Sequence, residues 1–313
     1  MNDVKFESVE QQKEVDILRI IGFLWSKKFI IVASTLFFGI IFAIYALSLP
    51  NIYKAQTLLQ VVEDREFESA PNFRDLSALS SFTGISLPKS RTSKAVLGIE
   101  VMKSKEFIAK FATDDVLINL FASKKWNSRT NEIVYDSNIF DYKENIWTRK
   151  ASFPRSAKPS PQEAHKLMLT KVLEINQDED TGLIRVSAKH VSPYVAKNWV
   201  DKIVEGVNMK VRNDAINLAN NSISYLQAEI QNTNVEEIKI ALSRLIQNEL
   251  STISVANSNP EYLFNTIDMA VVPEEKFGPN RFFIVFFGMI IGFVVGIIST
   301  VSINHKQFKN LLN

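Results

Sequence analysis

Hydrophobic and polar positions are distributed unevenly along this chain, and the unevenness decides its class. Two apolar runs, Phe29 to Leu49 and Phe282 to Ile303, contain no Asp, Glu, Lys or Arg. Wound as helices at 1.5 Å per residue, each is about 30 Å long, the thickness of bilayer hydrocarbon, so each is expected to span a membrane. The first run also carries Ala46-Leu47-Ser48, which fits the small-residue rule for signal-peptide cleavage. The run is longer than the roughly 7–15 residues of a signal peptide and follows a 28-residue leader, so an uncleaved anchor is preferred. Ahead of it, Ile17, Ile20, Ile21 and Leu24 share a helical stripe ending at Trp25. That pattern fits an interfacial helix or an extension of the span, and both readings stay open.

Between the runs the periodicity alternates between strand and helix. Tyr53 to Val62 is rich in β-formers and reads as a strand, and 69–93 reads as short helices and loop. Ser93 is expected to cap a helix whose apolar face includes Val96, Ile99, Met102, Phe107, Ile108 and Phe111. Residues 123–160 have the least pattern. Ser160-Pro161-Gln162-Glu163 then combines an N-cap, a first-turn proline and a glutamate three residues after the cap, a strong helix start. Val172–Asn176, a turn at Asp178–Gly182 and Leu183–Ala188 read as a β-hairpin.

Ser192-Pro193 opens a second helix, with an apolar stripe running from Val195 through Trp199, Ile203, Val207 and Val211 to Ile230. At 1.5 Å per residue it measures about 55–60 Å, longer than a small domain needs. Asn232-Thr233-Asn234 breaks it, and Asn234 to Glu237 reads as a capping box for a further helix through Ile253. A projecting helical hairpin is preferred over a single kinked helix. Such stripes need partners, and neighbouring copies are the expected ones. A late strand at Tyr262 to Val272 completes an α+β layer.

Charge and composition narrow the function. Five of 36 basic residues precede the first run and two follow the second; five of 34 acidic residues precede the first and none follows the second, leaving 29 of each sign between. A balanced body has no broad positive field for nucleic acid. Lys27 and Lys28 abut the first span and Lys306 and Lys309 follow the second, which places both tails in the cytoplasm and the body outside it. Zero cysteines exclude disulfides and thiolate chemistry. No phosphate loop, nucleophile elbow or zinc motif occurs, and the three histidines, His165, His190 and His305, are far apart, so no catalytic, cofactor or metal site is expected. Acidic runs at Asp114-Asp115 and Asp178–Asp180 read as solvated faces. Trp126, Trp147 and Trp199 have rings that could stack on sugars, although core or interface packing is preferred. Gly288, Gly292 and Gly296 recur every fourth residue along the second span, a face on which another helix can approach closely.

The chain resembles the polysaccharide co-polymerase family, the Wzz-type chain-length determinants of bacterial surface polysaccharides. The resemblance rests on Val15–Trp25, on Ala95–Phe111 with Met102-Lys-Ser-Lys-Glu-Phe107, on Glu261–Asp268 and Ala270–Glu274, and on Gly278–Arg281 with the glycine-stepped span. The family's proline- and glycine-rich signature is matched at Pro273, Pro279, Gly288, Gly292 and Gly296. Gly278-Pro279-Asn280 stands where members often carry a Ser-Pro-Lys-like triplet, and the hairpin is shorter than in the longest members.

The resemblance implies an inner-membrane protein with two spans: a cytoplasmic tail over 1–28, a first span over 29–49, a periplasmic α+β domain over 50–281 with a hairpin at about 193–256, a second span over 282–303, and a cytoplasmic tail over 304–313. It further implies a non-enzymatic regulator of O-antigen chain length that forms homo-oligomeric rings and acts with a Wzy-type polymerase, with polysaccharide itself a further candidate partner. The alternative within this architecture is the membrane subunit of a capsule or exopolysaccharide export system paired with a separate tyrosine kinase. A two-span sensor is disfavoured because the tails offer no output module.

Overall fold

The computed structural model describes residues 24–62 and 94–304. The segment 69–93, most of the leader helix and the C-terminal tail lie outside the described residues. The chain divides into two compact units, Pro50–Phe277 and the pairing of Met1–Leu49 with Gly278–Asn313.

In the second of these units, helix α1 (Lys28–Ser48) packs along the helix that closes the chain, Arg281–Ile303. Both are long and apolar enough to cross a membrane. Their outward side chains are exposed hydrophobics, among them Leu36, Ile40, Ile44, Phe286, Ile290 and Phe293. Such a surface suits lipid rather than water.

The unit Pro50–Phe277 is α+β, as expected. Its strand β1 (Tyr53–Val61) is followed by α2 (Lys94–Lys103), α3 (Lys105–Phe111), α4 (Asp114–Ala122), β2 (Ser123–Asn127), β3 (Glu132–Tyr135), β4 (Phe140–Asp141) and β5 (Ile146–Trp147). Then come α5 (Pro161–Leu167), a π-turn at Met168–Val172, β6 (Leu173–Gln177), β7 (Ile184–His190), α6 (Pro193–Asn232), α7 (Glu236–Ser258) and β8 (Phe264–Asp268). The Arg281–Ile303 helix is α8.

The main sheet has the order β6-β7-β1-β8 and every pair is antiparallel. Ala55, Thr57 and Leu59 of β1 and Ile184, Val186 and Ala188 of β7 are buried in the period of two that a one-faced sheet requires. Against β1 and β7 lies the first part of α6, whose Ala196, Trp199, Val200, Ile203, Val204 and Val207 complete the core. The second half of α6 continues beyond this core and pairs with α7, where Ala219 and Ala256 are buried. At 40 residues α6 is about 60 Å long.

Both halves of the capping box at α5 form: the Ser160 side chain accepts from Glu163 N–H and the Glu163 carboxylate accepts from Ser160 N–H. Three expectations need correction. The single helix expected from Ser93 to Phe111 is two, because Ser104 takes an extended backbone and its hydroxyl caps Phe107 N–H at 3.2 Å, starting a new helix. The capping box expected at Asn234–Glu237 does not form. Thr233 accepts from Val235 N–H instead, Val235 becomes the N-cap, and Glu236 and Glu237 fall in the first turn, where the helix dipole favours carboxylates. The late strand is shorter than Tyr262–Val272, since pairing with β1 ends at Asp268 after a register shift between Leu58 and Leu59.

Candidate functional site

The glycine steps of α8 all fall on its contact with α1. A β-carbon on Gly288 would enter the ring of Phe42. One on Gly292 would lie 2.9 Å from the Ser34 carbonyl oxygen and 3.0 Å from Thr35 Cα. One on Gly296 would lie 2.9 Å from Ile31 Cα. Gly288, Gly292, Gly296 and, one step further, Thr300 are the buried positions of α8. Absence of side chains lets the two backbones approach until polar atoms meet, and the Ser34 hydroxyl donates to the Gly292 carbonyl at 2.8 Å. At the other end of the pair, the Arg281 guanidinium donates to the carbonyls of Ala46 and Leu49, satisfying acceptors at the C-terminal end of α1 that the helix leaves unpaired. Pro279 precedes α8 in the same unit, whereas Pro273 belongs to the unit Pro50–Phe277.

Pro273 instead lines a surface groove of about 420 Å³ together with Tyr53, Trp126, Ser128, Tyr194 and Glu274. The sequence places these residues far apart. Antiparallel pairing of β1 with β7 sets Tyr53 opposite His190, just before Tyr194 in the chain, and the β2–β3 ribbon brings in Trp126. Of the three tryptophans singled out from the sequence, Trp199 is in the core at 2% exposure and Trp147 packs edge-on against Phe140. Trp126 remains half-buried on the groove.

Two carboxylates are strongly tuned, both by ion pairs. Arg149 donates to both oxygens of Glu163 at 3.0 and 2.7 Å, which holds that carboxyl at about 2. Lys54 and Lys189 meet Glu174 at 3.0 and 3.1 Å and likewise hold it at about 2. The same two ammonium groups lie over the ring of Phe277, 5.2 and 4.8 Å from its centre, and Phe277 N–H donates to the Ile52 carbonyl. These contacts fasten the end of the body to β1 and β7. Each carboxylate is engaged by cationic side chains, two lysines at Glu174 and a forked arginine at Glu163, which makes each arrangement a brace. Among the described residues there is no group of three or more His, Asp or Glu able to hold a metal ion.

The described residues thus combine two helices long and apolar enough to cross a membrane with an α+β body and a long helical hairpin. Residues 13–114 match the family model described as Wzz, chain length determinant protein. Over that segment, about a third of the chain, the sequence is similar to the chain length determinants, in line with the resemblance carried by its motifs. Similar solved structures include a full-length bacterial polysaccharide co-polymerase, 13% identical, with a TM-score of 0.39, covering 95% of this chain and 99% of that one. Another is a fragment of WzzB, a polysaccharide co-polymerase from Salmonella Typhimurium, 12% identical, with a TM-score of 0.26, covering 73% of this chain and 100% of the fragment. No curated protein matches the chain.

Proposed function

We propose that the protein is a non-enzymatic regulator of surface-polysaccharide chain length, of the O-antigen lipopolysaccharide kind, working as a homo-oligomeric inner-membrane scaffold beside a Wzy-type polymerase. The observation that carries this reading is the chain-length-determinant match over residues 13–114, which runs from the leader through the first span and into the body. Two spanning-length helices bracketing that body support an inner-membrane position. Both termini lie in the cytoplasm and residues 50–281 in the periplasm, in keeping with the basic residues that flank the outer ends of the spans.

In this reading the protein acts by contact. The α1–α8 pair, closed by Gly288, Gly292 and Gly296 and flanked by Pro279, presents one rigid membrane surface to the polymerase. Exposed apolar side chains on the hairpin, among them Leu218, Tyr225, Ile238, Leu245 and Leu250, are covered by neighbouring copies. The test is the size ladder of surface polysaccharide in a deletion strain. Loss of a preferred length with polymer still made is the expected result. Complete loss of polymer would instead favour the export subunit paired with a tyrosine kinase.

A further inference from the structure

The aromatic groove is left unexplained by a scaffold role. Its rings form a chain: Tyr53 meets Trp126 edge to face with centroids 5.5 Å apart, and Trp126 meets Tyr194 at 6.2 Å with a 58° tilt. The indole N–H of Trp126 donates to Asn131 Oδ1 at 3.0 Å, which fixes the ring's orientation. Tyr194 stands on the first turn of α6 between the buried Pro193 and the packed Val195, yet is itself 51% exposed. An aromatic side chain on so well anchored a backbone, held open, can bind without a large ordering cost.

The rest of the lining selects the ligand. Ser128 and Glu274 bring a hydroxyl and a carboxylate, and none of the lining residues is basic. Phosphate, sulfate and carboxylate ligands, which call for arginine or lysine, are therefore poorly matched. A neutral sugar ring suits the groove on both counts: its C–H face lies against the electron-rich ring face, and its hydroxyls donate to the carboxylate. The volume of about 420 Å³ lies within the roughly 300–1,000 Å³ of ordinary ligand sites.

We propose that this groove binds glycan directly, with Trp126 and Tyr194 stacking on a neutral pyranose and Glu274 and Ser128 engaging its hydroxyls. The choice of glycan rests on the chain-length reading, since the growing surface polysaccharide is the sugar such a protein would meet.

The test uses the full-length protein in detergent micelles and two probes: repeat-unit oligosaccharides released by mild acid from the producing strain's own surface polysaccharide, and a polyproline decapeptide. Saturation-transfer NMR is expected to show saturable oligosaccharide binding with the strongest transfer to pyranose ring protons. Tyr194→Ala and Glu274→Gln, both at exposed positions, are each expected to weaken it about fivefold or more, while Trp147→Phe leaves it unchanged. Absence of saturable sugar binding, binding indifferent to both substitutions, or occupancy of the groove by the peptide instead would overturn the proposal. A strain whose ladder responds to deletion while its protein binds no sugar rejects the groove alone. Sugar binding in a strain whose ladder ignores the deletion rejects the regulatory role alone.

Discussion

Asn208 pairs with both backbone groups of Phe264: its Oδ1 accepts the Phe264 N–H at 2.8 Å and its Nδ2 donates to the Phe264 carbonyl at 3.0 Å. The same Oδ1 accepts from Leu263 N–H at 2.9 Å. A side chain in the middle of α6 thus acts as the missing neighbour of the edge strand β8, and at 3% exposure it does so away from water.

Asn208→Leu would leave three backbone groups, the Leu263 N–H and both groups of Phe264 at the start of β8, without their partner. The expected cost is about 3 kcal/mol or more, seen as a lower denaturation midpoint of the detergent-solubilised protein. Asn208→Asp keeps the acceptor but loses the donor and should fall between the two.

The α1–α8 contact has no room for a side chain at Gly292. Gly292→Leu is expected to separate the helices and break the Ser34 hydrogen bond, destabilising the pair by about 1–3 kcal/mol. If the pair is the surface met by the polymerase, the same substitution shifts the polysaccharide length distribution at normal protein level. An unchanged distribution would remove these glycines from the regulatory surface.

Acid sensitivity should come in two windows. His190 accepts Ser192 N–H on Nδ1 at 3.0 Å and meets the Asn119 carbonyl through Nε2 at 3.1 Å, a pattern met by the neutral ring protonated on Nε2. Burial lowers its pKa from 6.5 to about 4. The unfolded chain therefore binds the proton first, so stability is lost as pH falls from about 6.5 to 4, by up to roughly 3 kcal/mol. Glu163 and Glu174 are ionised in the fold down to about 2, so their contribution is present above 4.5 and is lost between 4.5 and 2. Replacing the imidazole by an amide in His190→Gln should flatten the upper window of a stability–pH curve and leave the lower one.

Arg149 ties the loop before α5 to itself, donating to the carbonyls of Ser156 and Ala157 as well as to Glu163. Phe153, at 98% exposure, lies inside this tied segment. Arg149→Ala is expected to accelerate proteolytic cleavage within residues 150–158 several-fold, with the Lys form intermediate because it cannot bridge the carboxylate in the same forked geometry.

How far the sequence revealed this molecule depended on whether a feature was local. The apolar runs, the box at Ser160 and Glu163, and the long stripe of α6 are periodic or contiguous, and each was legible. The ribbons within 123–147 were not, because strands as short as Phe140–Asp141 have no period to detect. They are set by turns in which the Asp136 and Asp141 carboxylates accept backbone N–H groups and Asn131 and Asn145 take positive φ. Ser104 was hidden by the apolar positions running through it. Trp126 and Pro273 were each singled out in the sequence for other reasons, but their meeting in the aromatic groove could not be read, since its residues meet only through strand register. Asn208 stood in plain view as a polar residue beside an apolar stripe, a signal that could have marked it.

A body that meets polymerase and growing glycan must work on the periplasmic side of the membrane. Because the chain has no cysteine, single replacements at Lys150 and at Asn2 can be labelled with a membrane-impermeant maleimide in cells whose outer membrane has been opened. Labelling at Lys150→Cys in intact spheroplasts, with Asn2→Cys reacting only after lysis, is the predicted result; the reverse order would contradict the regulator and its glycan groove together.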